Sequence, residues 1–400
     1  MPPSLARRSA LLMGMGGLSA CAMPIRGAAV PRDATLRATV LGIPNERFFP
    51  AMGSGPITAE FMAALQRRHG YMGVRSGQML PTLDLLAVSG GGDDGAFGAG
   101  LLNGWSQAGT RPEFALVTGV STGGLIAPFA FLGAEYDAGL RRVYTEVTLA
   151  DILVQRSMLN GFFSDGMADT MPLFRTISRE LDAAMIERIA QGYRQGRLLL
   201  IGTTDLDAQL PVIWNMGAIA ASGHPGAPAL MHRIMLASAA IPGAFAPVLF
   251  DVTVDGVAHQ ELHVDGGAVN QAFLYPIAVT QARRARIAAR QPEQPMRAWV
   301  IRNAKLDANW ASTSRRTMSI AGRAVETMIA ASGFNDVVRI WQNAQRDDVE
   351  YRLAYIGSDF NVPYTTPFNP DYMRPLFEHG FTRASRGYDW ARTPPVIGDV

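Results

Sequence analysis

Phe114-Ala115-Leu116-Val117-Thr118-Gly119-Val120-Ser121-Thr122-Gly123-Gly124-Leu125-Ile126-Ala127 is the stretch on which the fold turns. Residues 114–134 carry no charge, so the run invites reading as a membrane helix. Glycines and hydroxyl residues interrupt it, however, and a buried strand over 114–120, a tight turn and a buried helix over 122–132 fit better. Within it, Gly119-Val120-Ser121-Thr122-Gly123 follows G-x-S-x-G. A serine on a sharp strand-to-helix turn projects its hydroxyl outward, and flanking glycines let the backbone crowd in without a Cβ clash. The helix behind it aims backbone N–H groups and a positive dipole end at the same place. The same five residues also describe an ordinary glycine-rich turn whose serine caps the helix.

Working outward, Ser89-Gly90-Gly91-Gly92-Asp93-Asp94-Gly95 leaves an apolar strand over 83–88 and enters a helix over 96–105. Consecutive glycines expose successive N–H donors, the groups that stabilise an oxyanion when a serine attacks an ester carbonyl. A phosphate cradle is the other use of such a loop, but it wants a lysine, and Lys305 is the only lysine in the chain, followed by Leu306. His263-Val264-Asp265-Gly266-Gly267 places a carboxylate at a strand end, a pattern that alone means a turn. Further strands are expected over 198–203, 261–264 and 297–301. Helices are expected over 172–193, 230–240, 275–290 and 317–345. Alternating strands and helices argue a mostly parallel sheet covered on both faces.

The glycine loop, the serine elbow and the late Asp-Gly-Gly, in that order, resemble the patatin-like phospholipase family. The likeness runs over about 83–268. Leu200-Ile201-Gly202-Thr203-Thr204-Asp205-Leu206-Asp207 and Ala237-Ser238-Ala239-Ala240-Ile241-Pro242-Gly243-Ala244-Phe245 also look like that family's intervening segments. The resemblance implies a three-layer α/β/α sandwich and a serine acyl hydrolase working with a Ser-Asp dyad on phospholipid or other acyl esters. Carried over by residue, Ser121 is the nucleophile and Asp265 the base, Gly119 and Gly123 flank the elbow, and the amides around Gly90, Gly91 and Gly92 form the oxyanion hole. Two positions depart from the family pattern, whose loop opens with Asp and carries Arg before its last glycine; here stand Ser89 and Asp94. The second departure removes a positive charge expected near an anionic head group. An ordinary carboxylate is a poor base for a serine, so Asp265 must be raised by burial or act in concert with the attack.

Other readings stay open at this level. Among the six histidines, His379 follows Asp265 in the chain order of a Ser-Asp-His triad, and His263 shares a strand face with Asp265. Asp93, Asp94, Asp205 and Asp207 have no clustered His or Glu to complete a metal shell, so neither a metal nor a cofactor is expected. Arg283, Arg286 and Arg290 recur on one helical face, as a solvated surface or as a contact for anionic lipid. Met158-Leu159-Asn160-Gly161-Phe162-Phe163 reads as an apolar lip or as packing. From a different class, the chain could be a binding factor on a degenerate hydrolase fold.

The 400 residues are 48% hydrophobic and 18% charged, which suits a globular chain and excludes disorder as its main state. Of 36 basic residues, 35 are arginines, dispersed without a basic stripe, so nucleic acid is not an expected partner. Arg7 and Arg8 precede a short apolar run that ends in Leu18-Ser19-Ala20-Cys21 with the chain's one cysteine. This resembles a bacterial lipobox: residues 1–20 an export signal, Cys21 the lipidated residue, 22–40 a tether and 41–400 a single domain. Ala22 after the cysteine implies the outer membrane. The formal charge of +2 belongs to the signal, since removing Arg7 and Arg8 leaves 34 basic against 34 acidic residues.

Overall fold

The computed structural model describes residues 26–75, 80–155, 168–290, 294–308 and 310–398. Cys21 with the export signal, and the expected lip at 158–163, lie outside them. Strands β1 (Arg47–Phe48), β2 (Leu83–Val88), β3 (Leu116–Val120), β6 (Leu198–Asp205), β7 (Leu210–Asn215), β8 (Val248–Val254), β9 (Val257–Asp265), β10 (Met296–Arg302) and β11 (Glu350–Tyr355) form one sheet. Its backbone order is β1-β7-β6-β3-β2-β10-β11, and β4 (Val154–Gln155) pairs with β5 (Ala168–Asp169) in a separate ribbon. The ladder from β11 through β10, β2 and β3 to β6 is parallel, while β7 and β9 run antiparallel to β6.

Every residue of β2, β3 and β6 is buried, as a parallel sheet covered on both faces requires. Their side chains divide between two cores. Leu86 and Val88 pack on one face with α2 (Gly95–Gln107), α3 (Thr122–Leu132) and the helix Pro370–Ser385. Leu83, Leu85 and Ala87 pack on the other with α1 (Gly55–Tyr71) and the helix Thr317–Arg346. The result is the three-layer α/β/α arrangement expected from the alternation.

Some boundaries differ, for local reasons. The expected helix over 172–193 is two helices, Met171–Glu180 and Ala183–Arg194, because Asp182 turns its carboxylate back to cap Met185 N at 2.8 Å. The segment expected as a tether is folded from Arg26 onward. Arg26 grips Asp207 with two hydrogen bonds of 2.8 and 2.7 Å, Gln260 N donates to Ala28 O, and Thr39 pairs with Thr253. Ala34, Ala38 and Val40 then enter the core.

One feature of the topology positions the site. β7 occupies one edge of β6 over Leu200–Asp205, so β3 and β9 share the other. β3 runs along that edge until Val120 pairs with Gly202; at the next residue, Thr203, the pairing passes to Asp265 of β9, arriving from the opposite direction. The ends of β3 and β9 therefore meet head to head, and Ser121 is the residue that follows Val120.

Candidate active site

Ser121 sits at φ +55°, ψ −128°, a region L-residues avoid, between the end of β3 and the start of α3. The turn closes tightly on both sides. A Cβ on Gly119 would come 2.3 Å from Gly123 O, and one on Gly123 would come 2.2 Å from Val88 O, so only glycine fits either position. Ser238 pins the strained backbone: its Oγ accepts from Ser121 N at 3.0 Å and donates to Gly202 O at 2.8 Å.

The structure brings Ser121 and Asp265 together. The Ser121 hydroxyl hydrogen-bonds the Asp265 carboxylate, which also accepts from Gly267 N at 2.7 Å. Both residues are buried, and burial lifts the Asp265 carboxyl to about 7, against the opposing pull of these two hydrogen bonds. A carboxylate at that poise is a competent proton acceptor near neutral pH, which one at the ordinary value near 4 is not.

The glycine loop is only partly as expected. Gly90 N donates to Gln271 O at 3.1 Å, so that amide is spent on the fold and is not an oxyanion donor. Gly91 caps and Gly92 opens a short 3₁₀ turn, Gly92–Asp94, where the first N–H groups lack an intrahelical partner. Gly92 lines the cavity beside Ser121. The loop lies close against β10, where a Cβ on Gly91 would fall 1.9 Å from Asn303 O. Ser89, which replaces the family's opening Asp, accepts from Asn303 N at 2.9 Å and from Arg302 Nη1 at 3.2 Å.

Arg302 is a site residue that the motifs do not disclose. Its guanidinium also reaches Gly90 O at 3.3 Å, and burial lowers its pKa to about 10 despite the charges of Asp336 and Asp94. Asp94 accepts from Tyr372 OH at 2.6 Å, and burial raises its carboxyl to about 6. The end of β10 thus sets a buried positive charge beneath the glycine loop, where it holds Ser89 and Gly90. The available signal is the pair Arg302-Asn303 directly after the apolar strand 297–301. Ser238 has its signal in the family-like Ala-Ser-Ala-Ala segment, which by itself assigns the serine no role.

A channel of about 870 Å³, counting its open mouth, leads away from Ser121 and Gly92. Its walls are almost wholly apolar, with Leu125, Phe129, Ile177, Met185, Met235 and Phe245 among them. No phosphate or charged head group would be stable there; an acyl chain would be.

The histidines lie elsewhere. His379 packs its ring against Phe97 and Phe360 and faces Asp359 at 3.8 Å, outside the partners of Ser121 and Asp265. His263 bridges Thr203 Oγ1 at 2.9 Å and Glu261 Oε2 at 3.2 Å, and Glu261 is in turn held by Arg47. Asp205, Glu261 and His263 bring ligand atoms within 4.8 Å of one another. Glu261 is bound by a buried guanidinium and Asp205 accepts the amides of Asp207 and Ala208, so these groups already have partners and do not ask for an ion. Asp93 likewise accepts Phe368 N at 2.9 Å.

A strained serine on a strand-to-helix elbow, inside an α/β/α sandwich and beside a glycine loop, is the arrangement of a serine-hydrolase type of site. Residues 86–278 match the family of patatin-like phospholipases, in agreement with the motif order. Comparison with curated proteins found no match. Among solved structures, the crystal structure of VipD from Legionella pneumophila is similar to 76% of this chain and to 66% of its own, at 10% identity and a TM-score of 0.37. This chain therefore spans just under two thirds of that structure's length.

Proposed function

We propose that the protein is a lipid acyl hydrolase that uses Ser121 and Asp265 as a dyad. One observation carries the reading: the hydroxyl of a backbone-strained serine is bonded to a buried carboxylate poised near 7, at the mouth of an apolar channel. Asp265 takes the Ser121 proton as Oγ attacks the ester carbonyl. The Gly91 and Gly92 amides face the developing oxyanion, and the leaving alcohol departs with the proton returned by Asp265. Water, deprotonated by the same carboxylate, then releases the acid from the acyl-enzyme. The channel takes the acyl chain, which fits phospholipid or other acyl esters. Cys21, as the lipidated first residue after an export signal, would hold the enzyme at a membrane, with the outer membrane the location Ala22 favours.

A serine-reactive fluorophosphonate probe tests the nucleophile directly. Wild type is expected to label and Ser121→Ala not to; equal labelling of the two would sink the reading. In a hydrolysis panel of phospholipids and neutral esters, Ser121→Ala and Asp265→Asn are both expected to be inactive while His379→Ala retains turnover. If His379→Ala matched Ser121→Ala in its loss, the dyad would give way to a triad.

A further inference from the structure

The helix Thr317–Arg346 is packed along only part of its length. Gly333, Asp336, Val337 and Ile340 face the sheet, and Gly333 lies so close to Arg302 that a Cβ there would come 2.3 Å from Nη2. Over 317–332 no described side chain is buried. At about 1.5 Å per residue this free part is about 24 Å long. Its outward face is a stripe of Ile320, Ala321, Ala324, Val325, Met328 and Ala331, which helical geometry aligns without a charge among them. Ile320, Val325 and Met328 are 53, 44 and 62% exposed, and Trp310, in the segment leading into the helix, is 87% exposed. Single exposed apolar residues need no explanation; a stripe along a helix that covers nothing among the described residues does.

The charges beside the stripe have one predominant sign. Arg315, Arg316 and Arg323 stand against Glu326 alone, which pairs with Arg323 at 3.0 Å, leaving +2 over 310–332. The stripe also rises from the catalytic end of the sheet. Ser332 Oγ donates to Val269 O at 3.4 Å, just past the Asp265 turn, and Arg302 beneath Gly333 holds the glycine loop. Glu326 lies within electrostatic reach of Tyr364, whose hydroxyl bonds Asp93 of that loop. By contrast Arg283, bonded to Gln294 O beside the start of β10, puts the Arg283, Arg286 and Arg290 face at the opposite end of the sheet.

We propose that residues 310–332 are the surface on which the protein seats on an anionic lipid bilayer, with the stripe immersed at the level of the head groups. Among the described residues no helix is long and apolar enough to cross a membrane, so this one lies in the interface plane. A second copy of the chain is the competing occupant, and it would set +2 against +2; anionic lipid is the complementary partner. The seating brings the mouth at Ser121 to the surface from which an acyl ester must be drawn, and in that purpose it rests on the hydrolase reading.

The test uses the full chain carrying Cys21→Ser, so that no acyl anchor contributes to binding. Co-sedimentation is measured with vesicles of phosphatidylcholine alone and with phosphatidylglycerol added. The parent protein is expected to partition onto the anionic vesicles. Ile320→Gln/Val325→Gln/Met328→Gln should weaken this about 100-fold, and Arg315→Gln/Arg316→Gln roughly 30-fold. All variants should hydrolyse a soluble short-chain ester at the parent rate, which also shows that they fold. The proposal is overturned if the parent does not bind anionic vesicles, if the triple variant binds as the parent does, or if sedimentation velocity shows a parent dimer that the triple variant dissolves. Should the parent bind and the triple variant not, with neither cleaving any ester, the surface stands and the hydrolase reading is what fails.

Discussion

Replacing Asp265 with Asn gives the sharpest check on the dyad, because the same pKa governs stability and turnover. Burial holds the carboxyl at about 7, whereas an unfolded chain releases that proton near 4. Between those values the native state binds the proton and the unfolded state does not, so wild-type stability falls as pH rises through the window and is level above it. The slope is about 1.4 kcal/mol per pH unit, or roughly 4 kcal/mol over the whole range. The substituted asparagine carries no charge and escapes this loss, while every other titrating group is common to both proteins and cancels in the difference. The stability of Asp265→Asn relative to wild type should therefore grow by roughly 3 kcal/mol between pH 5 and pH 8, whatever constant offset the altered hydrogen bonds to Ser121 and Gly267 add. Urea unfolding of the two proteins at both pH values measures it. In parallel, wild-type kcat/KM should drop about tenfold per unit below pH 7, and the variant should lose about 10³-fold at pH 8 while showing no such acid limb of its own. A stability difference that stays constant from pH 5 to 8, or full wild-type turnover at pH 5, would refute the argument, since the carboxyl would then be titrating as an ordinary one.

Ser121→Gly and Ser121→Ala should both abolish turnover, but glycine accepts the φ of +55° that alanine does not, so thermal denaturation should find Ser121→Gly the more stable by about 1 kcal/mol or more. Ser238→Ala removes the partner of Ser121 N and of Gly202 O. A loss of about 1–3 kcal/mol in urea, with kcat lowered and KM little changed, is expected, and Ser238→Thr should recover part of both. The two loop glycines should separate. Gly92→Ala meets open space and costs about 1–2 kcal/mol for its φ of +58°, whereas Gly91→Ala drives a methyl into Asn303 O and should cost more and remove at least 10²-fold of the rate. Equal behaviour of the two in denaturation and kinetics would show that the loop does not lie against β10 as described.

The sheet and the meeting of Ser121 with Asp265 are legible in the sequence because each rests on a pattern that leaves few alternatives. The apolar runs Leu85–Val88 of β2, Phe114–Val117 leading into β3 and Leu198–Ile201 of β6 fit strands covered on both sides, and a serine held between two glycines at a strand-to-helix turn has few other uses. The strands that the sequence does not disclose are of another kind. β8 alternates buried and exposed residues, and β11 opens on Glu350 and carries Arg352, so both look like surface until their partners are known. The N-terminal segment departs from expectation for a similar reason. Proline and small residues suggest a tether, yet Arg26 finds its partner Asp207 about 180 residues away, which local composition does not report. Gly90 is no oxyanion donor because counting glycines says how many amides a loop exposes, not that Gln271 has already taken one.

In the proposed dyad no histidine intervenes, and the sheet gives the reason. β6 carries β3 and β9 end to end on one edge, with Val120 at Gly202 and Asp265 at Thr203, so the two reactive side chains start from adjacent register positions and meet directly. An imidazole between them would need the strands drawn apart by a ring's width, and the ladder to β6 fixes both. His263 lies two residues back on β9, on the same strand face, but its two nitrogens are committed to Thr203 and Glu261. Its place is to anchor the strand that delivers Asp265. On the proposed reading the proton acceptor is a bare carboxylate, and the burial that raises its pKa replaces what an imidazole supplies elsewhere. The burial of Asp265 is then as much a part of the proposed chemistry as the two side chains themselves.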